Sequence, residues 1–492
     1  MKNYFFLILF IGSFSCKEAI EIEFKSAETE KYRPIYHFTP DFGWMNDPNG
    51  MVFHEGVYHL FYQYYPDSTV WGPMHWGHAI SSDLVSWDRK PIAIYPDSLG
   101  YIFSGSAVFD RENSSGLGSI ENPPLVAIYT YHDMEAEQSG ATDYQYQAIA
   151  YSIDQGISWD KYQNNPVLPN QGIKDFRDPK VMPWTLENGN PGWLMTLAVM
   201  DRIQFFSSEN LLDWKMESEF GQNQGAHGGV WECPDLIPMT APDGSQKWVL
   251  LVSINPGGPQ KGSATQYFIG DFEEGKFTPD DQLIRWLDYG PDNYAGVTWS
   301  NVEDRHLFIG WMSNWLYAQE VPTEKWRSAM TIPRELSLFE VNGTLLLQSS
   351  PAAEMKELRR KTYPLSQLQT TLPSEGVELE AQIKNEEEFS ILLENELGEK
   401  VLITRANGLV SVDRSIAGQV DFHPDFPAVH SAPMSWESES IRIFLDASSI
   451  EVFINDGELV LTSTLFPNSP WKTARFSENL SDIVVYELNY ED

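Results

Sequence analysis

The chain has 492 residues, a length that usually supports two or more domains. Its formal net charge of −37 argues against binding to nucleic acid, anionic lipid headgroups or acidic polysaccharides, because each would be repelled. Aromatic residues make up 13% of the chain; most must pack in the core, but flat rings also form platforms for the apolar faces of sugars. The composition therefore favours a neutral substrate.

Residues 1–16 are typical of a bacterial lipoprotein signal: a basic residue, an apolar run over 4–11, small residues and then Cys16. The apolar run is too short to anchor the chain stably across a bilayer. We therefore expect an acylated Cys16, a polar tether over 17–33, and an exported lipoprotein at the outer-membrane surface or in the periplasm, attached to the membrane only by this lipid. Acylation would leave Cys233 alone, so no intrachain disulfide is possible.

Short apolar or alternating runs between turn residues predict β-strands from Asp47 onward, and long amphipathic helices are not evident. Before residue 260 these runs lie at 50–53, 57–64, 125–131, 145–152, 193–199 and 248–254. A polar turn that ends in Trp follows three of the strands, at 82–87, 153–159 and 208–214. This recurrence indicates a repeated structural unit.

A second recurrence gives the size of the unit. Each unit opens with a polar or small residue before a strand, and the openings are Asp47, Ser104, Asp178, Glu232 and Ala295. They are roughly 60 residues apart, which suits four strands and their turns, and radial repetition of such sheets forms a β-propeller. We therefore predict a five-bladed β-propeller over 34–340, with a many-stranded sandwich as the alternative.

The texture of the sequence changes after the propeller. A linker rich in Ser, Glu and Lys is expected over 341–360, and alternating runs at 377–383, 441–445 and 450–454 predict a β-sandwich over 361–492. The predicted fold class is all-β: a five-bladed β-propeller followed by a C-terminal β-sandwich.

Three carboxylates occupy similar rigid settings. Asp47 lies in Trp44-Met45-Asn46-Asp47-Pro48-Asn49-Gly50, where Pro48 and Gly50 fix the turn. Alone this would be an ordinary turn, but Arg177-Asp178-Pro179 and Glu232-Cys233-Pro234-Asp235 repeat the pattern. Because the first strand of each blade lines the central channel, a propeller would bring all three acids to one funnel.

The neighbours of each acid suggest a role in glycoside cleavage, which needs one carboxylate at the anomeric carbon and one acid at the leaving oxygen. Asp47 lies between amides that favour the ionised form of a nucleophile. Glu232 has more apolar neighbours, which would raise its pKa and suit an acid/base. Asp178 stands beside Arg177, so it is expected to stay ionised and to stabilise positive charge on the sugar ring, although a structural Arg-Asp pair is the alternative.

Taken together, the chain resembles the glycoside hydrolase family 32 fructosidases, the group of invertases, inulinases and levanases. The resemblance rests on WMNDPNG at 44–50, FSGSAV at 103–108, FRDPKV at 176–181, WECPDL at 231–236 and LDASSIEVF at 445–453. It implies Asp47 as nucleophile, Glu232 as acid/base and Asp178 as transition-state stabiliser, with retention through a fructosyl-enzyme intermediate.

The resemblance also implies contacts around a terminal fructose. The positions carried over are Asn46, Gln63, Trp71, Ser104, Arg177, Asp292 and Tyr294, with Trp44 and Trp311 as apolar walls. The segments at 71–78 and 310–315 look most like bacterial levanases and exo-inulinases. His75 and His78 lack further ligands at metal-site spacing, so neither a metal nor a cofactor is expected.

The expected function is exo-acting release of fructose from levan- or inulin-type fructans and from sucrose. An endo-levanase or a fructosyltransferase on the same scaffold is the first alternative. A non-catalytic fructan-binding protein is the alternative from another class.

Overall fold

A computed structural model describes residues 30–384 and 388–490. The predicted signal, Cys16 and all but the last residues of the tether lie outside the described residues. Strands dominate the described part, where the helices are α1 (Met134–Gln138) and a 3₁₀ helix (Ala353–Leu358). No helix in the described ranges has the length and apolar character needed to cross a membrane.

Five antiparallel sheets follow one another along the chain and form the blades of the propeller. Blade I contains β1 (Gly43–His54), β2 (Val57–Tyr65), β3 (His75–Ser81) and β4 (Asp88–Ile94). Blade II contains β5 (Tyr101–Phe109), β6 (Leu125–His132), β7 (Gln145–Ser152) and β8 (Asp160–Lys161). Blade III contains β9 (Phe176–Thr185), β10 (Pro191–Val199), β11 (Arg202–Ser208) and β12 (Lys215–Phe220).

The last two blades carry additional short strands. Blade IV contains β13 (Val230–Thr240), β14 (Gln246–Asn255), β15 (Ala264–Glu273), β16 (Lys276–Pro279) and β17 (Arg285–Trp286). Blade V is built from β18 (Tyr294–Thr298) and β19 (His306–Met312), the short strands β20 (Trp326–Arg327) and β21 (Ala329–Met330), then β22 (Arg334–Val341) and β23 (Thr344–Pro351). β20 leaves this sheet and pairs with β1.

The ring closes between the last blade and the first. The first strands contact one another in the order β1, β5, β9, β13 and β18, and β18 contacts β1. Two parallel pairings join the ends: Gly43 of β1 pairs with Trp326 of β20, and Val52 pairs with Ser300. The prediction of a five-bladed propeller is confirmed, and closure protects the inner strand edges from solvent.

A β-bulge interrupts each of the five inner strands near its start. At each bulge two residues of the inner strand oppose one residue of the second strand. The bulged pairs are Asn46 and Asp47, Phe103 and Ser104, Asp178 and Pro179, Cys233 and Pro234, and Ala295 and Gly296. Because a bulge breaks the ladder and turns a side chain, the strand openings read from the sequence are the places where this ring redirects its side chains.

Proline and glycine at the bulges follow from this geometry. Pro48, Pro179 and Pro234 cost little there, because the interrupted ladder does not need their missing N–H. Gly105 and Gly296 are required by space: an added Cβ would lie 2.0 Å from the Ile128 carbonyl oxygen and 2.1 Å from the Phe308 ring, respectively.

The Trp-terminated turns recur between the third and fourth strands of blades I, II and III. In blade I the Ser81 hydroxyl accepts the amide of Leu84 at 2.8 Å, while the Asp83 carboxylate accepts the amides of Val85 and Ser86. The equivalent side-chain pairs are Ser152 with Asp154 and Ser208 with Asn210. The recurrence in the sequence therefore marks one type of turn, capped by its own side chains.

The second domain consists of two six-stranded antiparallel sheets. One sheet contains β24 (Arg359–Pro364), β26 (Val377–Ile383), β31 (Ser440–Asp446), β32 (Ser449–Ile454), β33 (Leu459–Thr464) and β35 (Leu480–Leu488). The other contains β25 (Gln369–Thr371), β27 (Phe389–Glu394), β28 (Lys400–Ala406), β29 (Leu409–Ile416), β30 (Val429–Pro433) and β34 (Thr473–Phe476). Their inner faces form one apolar core, as in a β-sandwich.

The predicted linker at 341–360 is wrong in its first half. β23 pairs along its whole length with β22 and completes blade V, so the propeller sheet ends at Pro351. The Ser-rich texture near 349 belongs to the last strand of this blade, whose side chains are buried or half-buried. The connection to the sandwich is the 3₁₀ helix, after which β24 begins at Arg359.

Buried ion pairs join the two domains. Arg334 of β22 contacts Asp288 at 3.0 Å and also the Glu451 carboxylate of β32. His37 lies between Asp446 and Glu451, at 2.8 and 2.9 Å; burial acts to lower its pKa, but these two hydrogen bonds raise it to about 9. The segment at 445–453 thus supplies two carboxylates to the domain interface.

Candidate active site

The bulged ends of the inner strands surround a cavity of about 310 Å³. Its lining residues are Asn46, Asp47, Gln63, Trp71, Phe103, Ser104, His132, Glu137, Gln145, Asp175, Arg177, Asp178, Glu232, Trp315 and Gln319. Four of the five blades contribute an inner-strand residue or its neighbour. The three carboxylates predicted from the sequence therefore meet in one pocket, although they are far apart along the chain.

Asp47 is held by two neutral donors. The Asn46 amide donates to Asp47 Oδ1 at 2.9 Å, and the Ser104 hydroxyl donates to Oδ2 at 2.9 Å. The Trp44 indole in turn donates to Asn46 Oδ1 at 2.7 Å, which fixes the direction of that amide. Burial, followed by repulsion from Glu232, raises the pKa of Asp47 to about 6 despite these donors.

Asp178 sits in the left-handed backbone region, with φ of 63°. Its own amide donates to Thr130 Oγ1 at 3.0 Å, and its Oδ2 accepts the amide of Cys233 at 3.0 Å. The Cys233 sulfur lies 3.6 Å from Asp178 Oδ2 and 3.7 Å from Asp47 Oδ2. Burial raises the pKa of this thiol, so it stays protonated and acts as a weak donor between two carboxylates.

Glu232 has a more polar environment than its sequence neighbours suggested. Arg177 donates to Glu232 Oε1 from Nε at 3.1 Å and from Nη2 at 2.8 Å. The buried Tyr294 hydroxyl donates to Oε2. The expectation of an apolar setting is therefore wrong, because the carboxylate contacts polar groups of two other blades and not its apolar neighbours in sequence.

The alternative reading, a structural ion pair between Arg177 and Asp178, is wrong. The Arg177 guanidinium donates to Glu232, to Asp175 at 2.8 Å and to Gln145 at 3.3 Å, since adjacent side chains on a strand point to opposite faces. Burial and repulsion from Glu232 and Asp47 raise the pKa of Asp178 to about 7, and the attraction of Arg177 only partly opposes this. The pocket thus holds three closely spaced carboxylates near a single guanidinium.

The two tryptophans expected as walls of the pocket lie one layer behind it. Trp44 and Trp311 are fully buried, and both pack on Trp315, with ring centroids 5.7 and 5.0 Å away. Trp315 is the ring that faces the cavity, together with Trp71 and Phe103. Aromatic rings do form a wall of the pocket, as expected, but Trp44 and Trp311 are buried behind that wall and do not line the cavity.

Asp292 lies at the domain interface and does not line the pocket. It is fully buried, and it accepts from Arg414 of the sandwich at 2.6 Å, the Tyr317 hydroxyl at 2.6 Å and the Thr464 amide at 2.8 Å. The expectation that Asp292 binds substrate is wrong, because these donors occupy its carboxylate. Tyr294, two residues later, reaches the site through Glu232.

Comparisons with known proteins agree with this arrangement. Residues 37–350 match the N-terminal domain of the glycosyl hydrolases family 32, and residues 347–490 match the C-terminal domain of the same family. The chain belongs to glycosyl hydrolases family 32. The resemblance read from the motifs, the all-β class and the assignment as a glycoside hydrolase are confirmed.

Two relatives of this family 32 protein have names that state an activity. The levanase of Bacillus subtilis (strain 168) is 46% identical over 465 residues, which cover 89% of this chain and 67% of the relative. The extracellular exo-inulinase of Aspergillus awamori is 39% identical over 496 residues, covering 91% and 92%.

Solved structures give the same fold. The crystal structure of exo-inulinase from Aspergillus awamori superposes with a TM-score of 0.84 at 35% identity, covering 94% of this chain and 99% of that one. The fructofuranosidase from Schwanniomyces occidentalis complexed with fructose has a TM-score of 0.82 at 32% identity, covering 95% and 100%.

Seven of the lining residues were not selected from the sequence: Phe103, His132, Glu137, Gln145, Asp175, Trp315 and Gln319. Phe103 and Trp315 lie inside the quoted segments 103–108 and 310–315, so the signal for them was present. The others come from loops, strand ends and, for Glu137, the short helix α1, none of which carries a motif. Among the residues described, no cluster of three or more His, Cys, Asp and Glu side chains could hold a metal ion.

The raised pKa of Asp178 predicts how stability responds to pH. In the unfolded chain the Asp178 carboxyl loses its proton near pH 4, whereas in the folded protein it does so near pH 7. The free energy of unfolding therefore falls as the pH rises from about 4 to about 7, and above pH 7 the full destabilisation by the Asp178 charge is present. Asp178→Asn keeps an acceptor for Cys233 and removes the charge. We expect its melting temperature to exceed that of the wild type by a few degrees at pH 8, with a smaller difference at pH 5, by calorimetry.

The exposed Asp143→Asn serves as the control and should show no such trend. An Asp178→Asn difference of equal size at both pH values would contradict the assignment of the cost to ionisation.

Proposed function

We propose that this family 32 protein hydrolyses β-D-fructofuranosyl linkages with retention of configuration, releasing fructose from the ends of levan- or inulin-type fructans and from sucrose. The observation that carries the proposal is the convergence of Asp47, Asp178 and Glu232 on three bulged inner strands around one cavity. Relatives named levanase, exo-inulinase and invertase support the same chemistry.

In the first step Asp47 attacks the anomeric carbon and Glu232 gives a proton to the departing oxygen, so that a fructosyl-enzyme ester forms as the glycosidic bond breaks. In the second step Glu232 removes a proton from water, and the water oxygen displaces Asp47. Two inversions return the original configuration. Repulsion between Asp47 and Glu232 raises the pKa of Asp47, which supports the close approach, roughly 5–5.5 Å, that retention requires.

The proton needed for the first step is retained within the carboxylate cluster. The pKa values of Asp47 and Asp178 are raised to about 6 and about 7, and such interacting acids titrate as a group. Near neutral pH the cluster therefore retains a proton inside the pocket. Arg177 and Tyr294 both donate to the Glu232 carboxylate and hold it in place beside the other two acids.

Asp178 has the placement of a charge stabiliser. Its carboxylate is fixed by the Cys233 amide and lies close enough to both other acids to raise its own pKa. Positive charge that builds on the sugar ring would relieve this repulsion, so the interaction strengthens in the transition state relative to the free enzyme.

The size of the cavity supports exo action. At about 310 Å³ it lies at the low end of small-molecule sites, and its lining comes from the inner strands of four blades and from loops of the ring. Such a pocket suits a chain end. No observation on the described residues specifically favours an open groove for internal units or a site that excludes water.

Substitution of the acids separates their roles. Glu232→Gln should lower kcat/KM for sucrose by about 10²–10⁴, the usual contribution of general acid catalysis. With p-nitrophenyl β-D-fructofuranoside, whose leaving group departs without a proton, the same variant should release a burst of nitrophenol and then stall. Asp47→Asn should lower activity on both substrates by ~10³ or more and show no burst.

The exposed Asp143→Asn provides a matched carboxylate-to-amide control. If Glu232→Gln lost activity on sucrose and on the aryl fructoside equally, and released no burst of nitrophenol, the assignment of Glu232 as acid/base would be contradicted.

The products of fructan digestion separate exo from endo action. Because the cavity suits a terminal unit, we expect free fructose as the sole early product from levan and from inulin, followed over time by chromatography. Longer oligosaccharides early in the levan digest would show an endo-levanase, and trisaccharides formed from concentrated sucrose would show transfer.

We also propose that the protein is exported and held at the outer-membrane surface or in the periplasm by a lipid on Cys16. The support is the sequence of residues 1–16 and the polar tether after it. Expressed in a bacterial host with labelled palmitate, the full chain should carry the label and fractionate with membranes, and Cys16→Ala should lose both. Cys233→Ser controls for labelling at the other cysteine; a Cys16→Ala protein that kept its label would contradict the proposal.

A further inference from the structure

One wall of the pocket has no part in the mechanism above. It consists of the end of β6 and the segment that follows, where His132 and Glu137 both line the cavity. Glu137 is placed by the short helix α1, whose first turn is capped by the Asp133 carboxylate. His132 Nε2 lies 3.2 Å from Glu137 Oε2. A ring nitrogen and a carboxylate therefore stand side by side on the wall.

The hydrogen bonds around His132 determine which of its nitrogens carries the proton. Gln145 Oε1 accepts from the Phe176 amide at 2.8 Å and from Arg177 at 3.3 Å, so the oxygen of that side chain is identified by two N–H donors. The remaining Gln145 nitrogen lies 3.1 Å from His132 Nδ1. An amide nitrogen only donates, so Nδ1 accepts and the proton is assigned to Nε2.

The ring of His132 is neutral near pH 7. Burial, with a smaller effect of the Arg177 charge, lowers its pKa to about 4. The ring is also held in place, because it stacks on Phe103 with centroids 4.3 Å apart and an interplanar angle of 3°. His132 therefore presents a fixed N–H donor, and Glu137 presents an acceptor beside it.

This donor is buried and has no hydrogen bond. His132 is 3% exposed, and its Nε2 has no partner with hydrogen-bonding geometry among the described residues. The approach of Glu137 is close but poorly aligned. Glu137 itself keeps a side-chain exposure of 40%, so its carboxylate reaches solvent in the cavity. A buried donor without a partner is costly unless a ligand satisfies it.

The strand register places this pair above the carboxylates. His132 pairs with Tyr101 at the start of β5 and lies two residues beyond Thr130, which opposes the bulge that contains Ser104. Ser104 binds Asp47. At about 3.3 Å per residue the separation along the strand is roughly 7 Å. Two other lining residues lie in loops just before strands: Trp71 before β3 and Asp175 before β9. The pair therefore lies toward the mouth, beyond a fructose bound at the three acids.

We propose that His132 and Glu137 form a hydroxyl-recognition pair for the sugar unit on the leaving side of the scissile bond. One sugar hydroxyl accepts a hydrogen bond from His132 Nε2 and donates one to the Glu137 carboxylate. The hydroxyl thereby acts both as acceptor and as donor. A ligand carboxylate would be repelled by Glu137, and an ammonium group cannot accept from the ring, so the pair selects a neutral sugar. The inference rests on the proposed fructosidase activity and adds a determinant of leaving-group preference.

The test compares two substrates that share the fructosyl unit. The trisaccharide 1-kestose has hydroxyls on its leaving side, whereas the leaving group of p-nitrophenyl β-D-fructofuranoside has none. For Glu137→Ala the ratio of kcat/KM for 1-kestose to that for the aryl fructoside should fall about tenfold, mainly through KM. Glu137→Gln, which keeps an acceptor oxygen, should recover part of the ratio. Glu135→Ala, an exposed neighbour on the same helix, is the matched control and should keep the wild-type ratio.

His132→Phe tests the donor, since the ring keeps its stacking on Phe103 but loses the N–H. Its ratio should also fall, and adding Glu137→Ala to it should lower the ratio little further, because the pair acts on one hydroxyl. Circular dichroism and melting temperature confirm that each variant is folded before kinetics are compared.

The outcomes separate this inference from the proposed function. If the wild type cleaves neither substrate, the fructosidase proposal fails. If the wild type cleaves both while Glu137→Ala and His132→Phe keep its ratio, or lower both substrates equally, the recognition pair is overturned and the fructosidase proposal stands.

Discussion

The structure depends on one backbone constraint, a β-bulge at a similar depth in each of five inner strands. Ring closure packs these strands edge to edge around an axis, which leaves little room for side chains that point inward along a regular ladder. The bulge lets Asp47 and Asp178 turn into the cavity and leaves the remainder of each strand paired. A proline or glycine lies in each bulge or directly after it, because the ladder there lacks a hydrogen bond or lacks space.

Buried charges are arranged differently in the pocket and at the domain interface. The pocket concentrates three carboxylates near Arg177, and their mutual repulsion and burial raise the pKa of Asp47 and of Asp178. At the domain interface each buried carboxylate instead has a cationic partner, as Asp292 has in Arg414. The two regions are linked, since Asp292 lies two residues before Tyr294, which donates to Glu232. One short segment therefore contacts the sandwich through Asp292 and the pocket through Tyr294.

Much of this could be predicted from the sequence, because the features that specify it are local. Asp47-Pro48 and Asp178-Pro179 mark bulges, and the alternation of apolar residues marks strands. What failed depended on contacts between distant residues. The direction of Trp44, the partner of Arg177 and the place of Asp292 follow from register across blades and from Arg414 in the other domain, and none of these is visible in a local window. Glu137 sits in a connecting segment without a motif, where only the folded loop shows which way it faces.

The closure of the ring has a consequence for how the protein becomes active. β1 carries Asp47, yet it is completed by β20 and Ser300, which lie more than half the chain later. Contacts of such large sequence separation form late, because the loop between them must first lose its freedom. The pairings that complete β1 cannot form before residues 300 and 326 have left the ribosome. Trp315 and Gln319 also line the cavity, so the pocket is complete only when the last blade has joined the first.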